Sequence, residues 1–311
     1  MPKPARSGAA VQGLDLRWHL SSVGATVAWA KGLRGEGVTI GVVDGGVDLK
    51  HPELSAAVGA GRIQVRRVCQ GEAPIPDHGT AVASLLVGRE QGLAPGARLV
   101  VADVYGRGRH SRAVKVDPSD VREGLRWLIE EGRVDVILMT LERRGQDPWL
   151  RDLAQQAQDK GILLIASIGN GGHQGETGSP GNYPEVLGVG SLTMAGEAGP
   201  ESASEVLNWD GLSFSKPEVM APGSGVRVAL CPGRYGWERG TSFAAPLVAS
   251  AAAILLQKRP WLSPQELRES LGKGNLTLET SLQYLKDRPR MGASPQPHLQ
   301  RTPVRAIQVS A

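Results

Sequence analysis

A three-layer α/β fold, with a mainly parallel central sheet and helices on both of its faces, is predicted by three observations. Short aliphatic runs alternate with helical stretches along most of the chain, the pattern left by right-handed crossovers between parallel strands. Aromatic residues are scarce, 7 Trp, 4 Tyr and 2 Phe in 311 residues, which leaves the core to Val, Leu, Ile and Ala and suits strands buried on both faces. Residues 240–256 are apolar nearly all round, and a helix of that kind belongs in the middle of a protein.

Taken in order, residues 1–20 are polar and punctuated by Pro and Gly, and 25–32 reads as a short helix ended by glycine. Residues 38–43 form an aliphatic run closed by Asp44, Gly45 and Gly46, a buried strand entering a glycine turn. Further strands are expected over 62–68, 98–104, 134–140, 162–168 and 186–191, with helices over 79–87, 119–131 and 149–160 between them. Ser263, Pro264 and Glu266 make a capping box with proline at the first helical position, opening a helix to about Leu271. Beyond 288 the sequence is Pro-rich and patternless. The expected organisation is an N-terminal extension over 1–24, one main domain over 25–275, and a C-terminal extension over 276–311.

Composition narrows the function. The 35 basic and 31 acidic side chains leave a net charge of +4, and so small an excess, unless clustered, is no nucleic-acid footprint. No apolar run is seen to approach the ~18 residues of a membrane span, so neither nucleic acid nor a membrane is expected as a partner. The basic N-terminus is followed by no uninterrupted apolar segment of the secretory kind. Cys69 and Cys231 lack any metal-binding or redox spacing and read as free thiols. A cytoplasmic location is expected, without cofactor or metal.

Three segments set a reactive side chain where a strand ends or a helix begins. Asp44 falls at the carboxyl edge of a parallel sheet, where α/β proteins carry their sites. His78 precedes Gly79 and Thr80 at a helix start, and Ser242 lies at the start of the apolar helix. Alone, each has an ordinary structural reading as a turn or a cap. Together, and in the order Asp, His, Ser, they are the parts of a charge-oriented nucleophile.

The segments VVDGGVD (42–48) with HPEL (51–54), HGTAVA (78–83), KPEVMAPG (216–223) and GTSFAAP (240–246) resemble, in content and order, the subtilisin-like serine proteases, or subtilases. The resemblance runs from about Ala25 to Leu271. It implies a subtilisin-like fold and a serine endopeptidase acting on a peptide or protein substrate through an acyl-enzyme. It implies Ser242 as nucleophile, His78 as general base, Asp44 as its orienting carboxylate, and Asn170, in the ASIGNGG segment (166–172), as an oxyanion donor beside the Ser242 N–H. It also implies that the substrate backbone lies between Thr140, Leu141 and Glu142 on one side and Ala166, Ser167 and Gly169 on the other.

The sequence departs from the family pattern in several places. Glu142, Arg143 and Arg144 stand where small residues are usual; a charged, bulky exit would narrow the cleft or select a basic substrate side chain, and a solvated loop is the other reading. Arg107, Arg109, His110, Arg112 and Lys115 make a basic stretch that would favour acidic or phosphorylated peptides, or is solvated surface. Gly45 replaces a hydroxyl residue, so Asp44 is expected to rely on backbone donors, and Ala81 replaces a second histidine. Residues 85–93 lack the insertion that ligates calcium in many secreted members, and no room for a folded prodomain precedes residue 25. A peptide-maturation protease or transpeptidase, and a silent interaction module on the same fold, are the alternatives; oligomeric state is left open.

Overall fold

The computed structural model describes residues 15–70, 73, 75–107 and 114–288. Eight strands form the central sheet: β1 (Thr39–Asp44), β2 (Ile63–Arg67), β3 (Arg98–Asp103), β4 (Val136–Met139), β5 (Leu163–Ser167), β6 (Leu187–Leu192), β7 (Val219–Pro222) and β8 (Gly274–Asn275). Their order is β8-β7-β6-β5-β4-β1-β3-β2, and every neighbouring pair is parallel. From β1 the chain goes to the edge strand β2 and returns to β3 between the two, then builds outward through β4 to β8 on the other side. The strand order therefore reverses beside β1, and the crevice at the carboxyl ends of β1 and β4 is where such a sheet opens to a ligand. Register brings Val43 opposite Met139, so Asp44 and Thr140, the next residue of each strand, emerge side by side.

Helices cover both faces. On one lie α1 (Asp77–Val87) and α3 (Thr241–Lys258), on the other α2 (Pro118–Glu130) and the helix Arg151–Asp159. In α3 every residue from Thr241 to Leu256 is buried, because it passes between the sheet and further helices and meets β1, β4, β5, β6 and β7 as well as α1. Its 18 residues are long and apolar enough to cross a bilayer by length and composition, which corrects the expectation that no stretch reaches that length. With 89% of them buried inside the protein, the apolarity is that of a core. Pro246 sits inside this helix, near enough to its start that the missing N–H costs one bond with the Ser242 carbonyl rather than a kink mid-span.

Part of the segment expected as an N-terminal extension packs into this body. Trp18, His19, Leu20 and Val23 are buried, and the Trp18 indole donates to the Gly225 carbonyl at 2.8 Å. At the other end the helix Leu278–Asp287, begun by a Thr277 cap, buries Leu278, Leu282 and Leu285. The expected tail beyond 288 lies outside the described residues, as do Arg109, His110 and Arg112 of the basic stretch. Two hairpins that strand periodicity did not suggest, Glu205–Trp209 with Leu212–Lys216 and Ser224–Leu230 with Arg234–Arg239, flank the sheet. The segment that follows α1 is tied down by the buried Glu53 carboxylate, which accepts the N–H groups of Glu90 (2.8 Å) and Gln91 (2.7 Å) and the Tyr235 hydroxyl (2.8 Å).

Candidate active site

Asp44 ends β1 with its side chain fully withdrawn from water. Its Oδ1 accepts the Gly45 N–H at 2.5 Å, and both oxygens lie 2.9 Å from Nδ1 of His78. The remaining donor was not foreseen: the Thr140 hydroxyl donates to Oδ2. The expectation that Asp44 depends on backbone donors alone is thus corrected. The hydroxyl missing at position 45 is supplied from the neighbouring strand, because parallel register sets Thr140 beside it.

His78 belongs to the first turn of α1, brought onto Asp44 by close backbone packing. A Cβ on Gly79 would stand 2.4 Å from the Gly46 carbonyl oxygen and 2.5 Å from that of Gly45, so only glycine lets the helix approach the turn so closely. The imidazole lies between Tyr105 (centroids 6.2 Å apart, stacked) and Phe243 (5.7 Å). With Nδ1 donating to a carboxylate, the neutral ring carries its lone pair on Nε2. Burial, the largest single influence, works against the imidazolium, but the charge and hydrogen bond of Asp44, with Glu238 further off, outweigh it. The net effect holds His78 above its ordinary value.

Ser242 occupies the second position of α3, with 9% of its surface exposed. Its hydroxyl donates to the Thr140 carbonyl at 3.0 Å, so Thr140 touches Asp44 through its side chain and Ser242 through its backbone. Early N–H groups of a helix lack intrahelical acceptors. Here Thr241 N–H is met by Oδ1 of Asn170 at 3.0 Å and Phe243 N–H by the Gly240 carbonyl at 3.0 Å, while no partner is found for the Ser242 N–H among the described residues. Anchoring Oδ1 on the Thr241 N–H orients the exposed Asn170 amide and leaves Nδ2 as its donor.

The six wall residues divide. Thr140 is buried, with its hydroxyl on Asp44. Ala166 and Ser167 are buried in β5, where Ala166 pairs with both β4 and β6 and Ser167 with β6, and the exposed rim begins at Asn170. Leu141 and Glu142, with Tyr105, Val116, Pro118, Val121, Arg143 and Trp149, line a cavity of about 330 Å³. Gly169 sits against the Glu142 carboxylate. Among the described residues no group of three or more His, Cys, Asp or Glu could hold a metal ion.

Residues 35–283 match the model of the subtilase family. The chain is 30% identical over 282 residues to subtilisin of Bacillus pumilus, an alignment spanning 86% of this chain and 94% of that one. It is 30% identical over 254 residues to the major intracellular serine protease of Bacillus subtilis (strain 168), spanning 78% and 75%. Its fold superposes on the prenylagaramide maturation protease PagA with a TM-score of 0.69 and 25% identity, covering 86% of this chain and 99% of that one.

Proposed function

From the premise that this chain belongs to the subtilase family and is a subtilisin-like serine peptidase, a hydrolase acting on peptides or proteins, we propose that Asp44, His78, Ser242 and Asn170 carry out the reaction. The observation that carries the reading is the continuous contact from Asp44 through Thr140 to Ser242, with His78 clamped on the same carboxylate. The reading requires the Ser242 hydroxyl to turn from the Thr140 carbonyl to the imidazole, and catalytic bonds of this kind tighten once substrate is bound.

Ser242 Oγ attacks the scissile carbonyl carbon while His78 Nε2 takes its proton. Asp44, held by Gly45 and Thr140, keeps Nδ1 as the donor and stabilises the imidazolium. The carbonyl oxygen, now an anion, is met by the Ser242 N–H and Asn170 Nδ2, both free for it and backed by the positive end of α3. Collapse passes the proton from Nε2 to the departing amine and leaves an acyl ester on Ser242. Water, deprotonated by the same nitrogen, releases the acid and regenerates the hydroxyl.

A second reading, a protease dedicated to maturing a peptide precursor, is favoured by the likeness to PagA along nearly the whole of that chain. Resemblance to a protease named as intracellular is in keeping with a cytoplasmic location. The deciding experiment is labelling with a fluorophosphonate probe. The parent is expected to be modified at one site and Ser242→Ala not at all; an unlabelled parent would refute serine chemistry, and a labelled Ser242→Ala would name another nucleophile.

A further inference from the structure

Gly45 departs from the hydroxyl residue expected after Asp44, and a ring from another strand lies where its side chain would be. A Cβ on Gly45 would stand 3.0 Å from Cδ2 of Tyr105 and 3.3 Å from its Cγ. The Gly45 backbone lies outside the left-handed region, so the ring, and not the turn, excludes a side chain there. The same ring stacks on His78, with centroids 6.2 Å apart and planes inclined by 30°. Gly45 gives its N–H to Oδ1 of Asp44 at 2.5 Å, and Nδ1 of His78 meets that oxygen at 2.9 Å. Tyr105 thus rests against the two residues that supply both of these donors.

The half-buried Tyr105 is itself placed by its backbone. It opens the short strand Tyr105–Arg107, opposite Val116 of the strand Val114–Val116. Its N–H goes to Oδ1 of Asp103 at 3.3 Å, and its carbonyl accepts the Cys69 thiol at 3.0 Å and Nη1 of Arg67 at 3.5 Å. Arg67 and Asp103 are paired at 2.8 Å. Asp103 ends β3 in register with Asp44 at the end of β1, so neighbouring strand ends carry the triad carboxylate and the anchor of the ring that faces its histidine. An imidazole bonded to a carboxylate through one nitrogen can still swing about that bond. An aromatic face beside it limits the swing, a modest contact that reaches the rate when the favoured orientation is the one the transition state needs.

We infer that Tyr105 is a positioning residue: its ring, lodged in the space that a side chain at position 45 would take, holds the His78 imidazole in the orientation from which Nε2 serves Ser242. The inference rests on the roles proposed above for His78 and Ser242. It makes Gly45 and Tyr105 a coupled pair, the one small because the other is large.

The test measures, on the full chain, the second-order rate at which a small alkyl fluorophosphonate labels Ser242, together with kcat and KM for a chromogenic peptide. Tyr105 also lines the cavity beside Leu141 and Trp149; a residue that only held substrate there would act on KM and leave the labelling rate alone. In Tyr105→Ala the labelling rate and kcat are both expected to fall about three- to tenfold, the range of one aromatic pair, and Tyr105→Phe should restore most of the loss. Gly45→Ala, which displaces the ring without removing it, should also slow labelling, and adding it to Tyr105→Ala should cost little more. A Tyr105→Ala enzyme that labels at the parent rate, or a loss that Tyr105→Phe does not restore, overturns the inference. If Tyr105→Ala does not fold, Gly45→Ala decides, and an unchanged rate overturns it. An unlabelled parent refutes the underlying reaction, whereas a labelled parent with indifferent variants refutes only this inference.

Discussion

Asp44, fully buried, and Glu142, half-buried with its Oε2 sealed from water, are acidic side chains at the carboxyl edge of one sheet, and the fold treats them in opposite ways. Asp44 is given a backbone N–H, a hydroxyl and an imidazole. Glu142 is pressed between two glycines with one oxygen left bare. The first arrangement fixes a charge so that a neighbour is oriented by it; the second leaves one buried carboxylate oxygen without a donor among the described residues. The difference teaches that burial does not assign a role to a carboxylate: the donors around it do.

Several substitutions would break or sharpen that contrast. Ser242→Ala should lower kcat on the order of 10⁶-fold, the magnitude known for subtilisin, with folding unchanged by circular dichroism. Asp44→Asn, which keeps the shape but reverses the tautomer demanded of His78, should cost about 10⁴-fold in kcat. Asn170→Ala should cost about 10²–10³-fold in kcat with little change in KM, as in subtilisin-type enzymes losing one oxyanion donor. A loss appearing in KM instead would mean that Asn170 only anchors the Thr241 N–H.

Smaller effects probe the donors themselves. Thr140→Val deletes one charge-assisted bond and should lower kcat/KM by about tenfold, close to 1.4 kcal/mol, with recovery in Thr140→Ser and a displaced pH profile. If Thr140→Val matches the parent, the hydroxyl is packing only. The pH profile is the gentlest test. The base must be neutral, and Asp44 and Glu238 hold His78 above its usual value of about 6.5. The acid limb of kcat/KM should therefore have its midpoint above that value and move down in Asp44→Asn. The same shift favours the charged folded form. Its contribution to stability is complete below the unfolded value, about 6.5, and fades as pH rises through the folded one.

Much of this was legible before any coordinates. The aliphatic run into Asp44, the helix opened by His78 and the small-residue helix behind Ser242 each announced themselves, since strand and helix periodicities are local. The corner around Asp44 was only half legible. Reading Gly45 as a lost hydroxyl was correct residue by residue, yet the replacement, Thr140, lies 96 positions away and becomes adjacent only through parallel register. The walls are legible only in part: Ala166 and Ser167 fall in the expected strand, while their burial comes from neighbours distant in sequence. The hairpin over Glu205–Lys216 turns on Asp210 and Gly211, both at positive φ, an Asp-Gly signal that the strand reading passed over, whereas the hairpin over Ser224–Arg239 carries no such pair. Trp18, in a polar lead, is recruited by a carbonyl at Gly225 that no local pattern can reveal.

The helix that begins at Ser242 touches five strands of the sheet and is sealed from Thr241 to Leu256. Its amides therefore belong to the last cooperative unit to open, exchanging their hydrogens with solvent only when the whole domain does. A loop-borne nucleophile can be lost by local fraying while the rest stays folded. Here the reactive hydroxyl is hung on the most protected segment of the chain, so local fraying has no route to it, and its disengagement requires the domain as a whole to unfold.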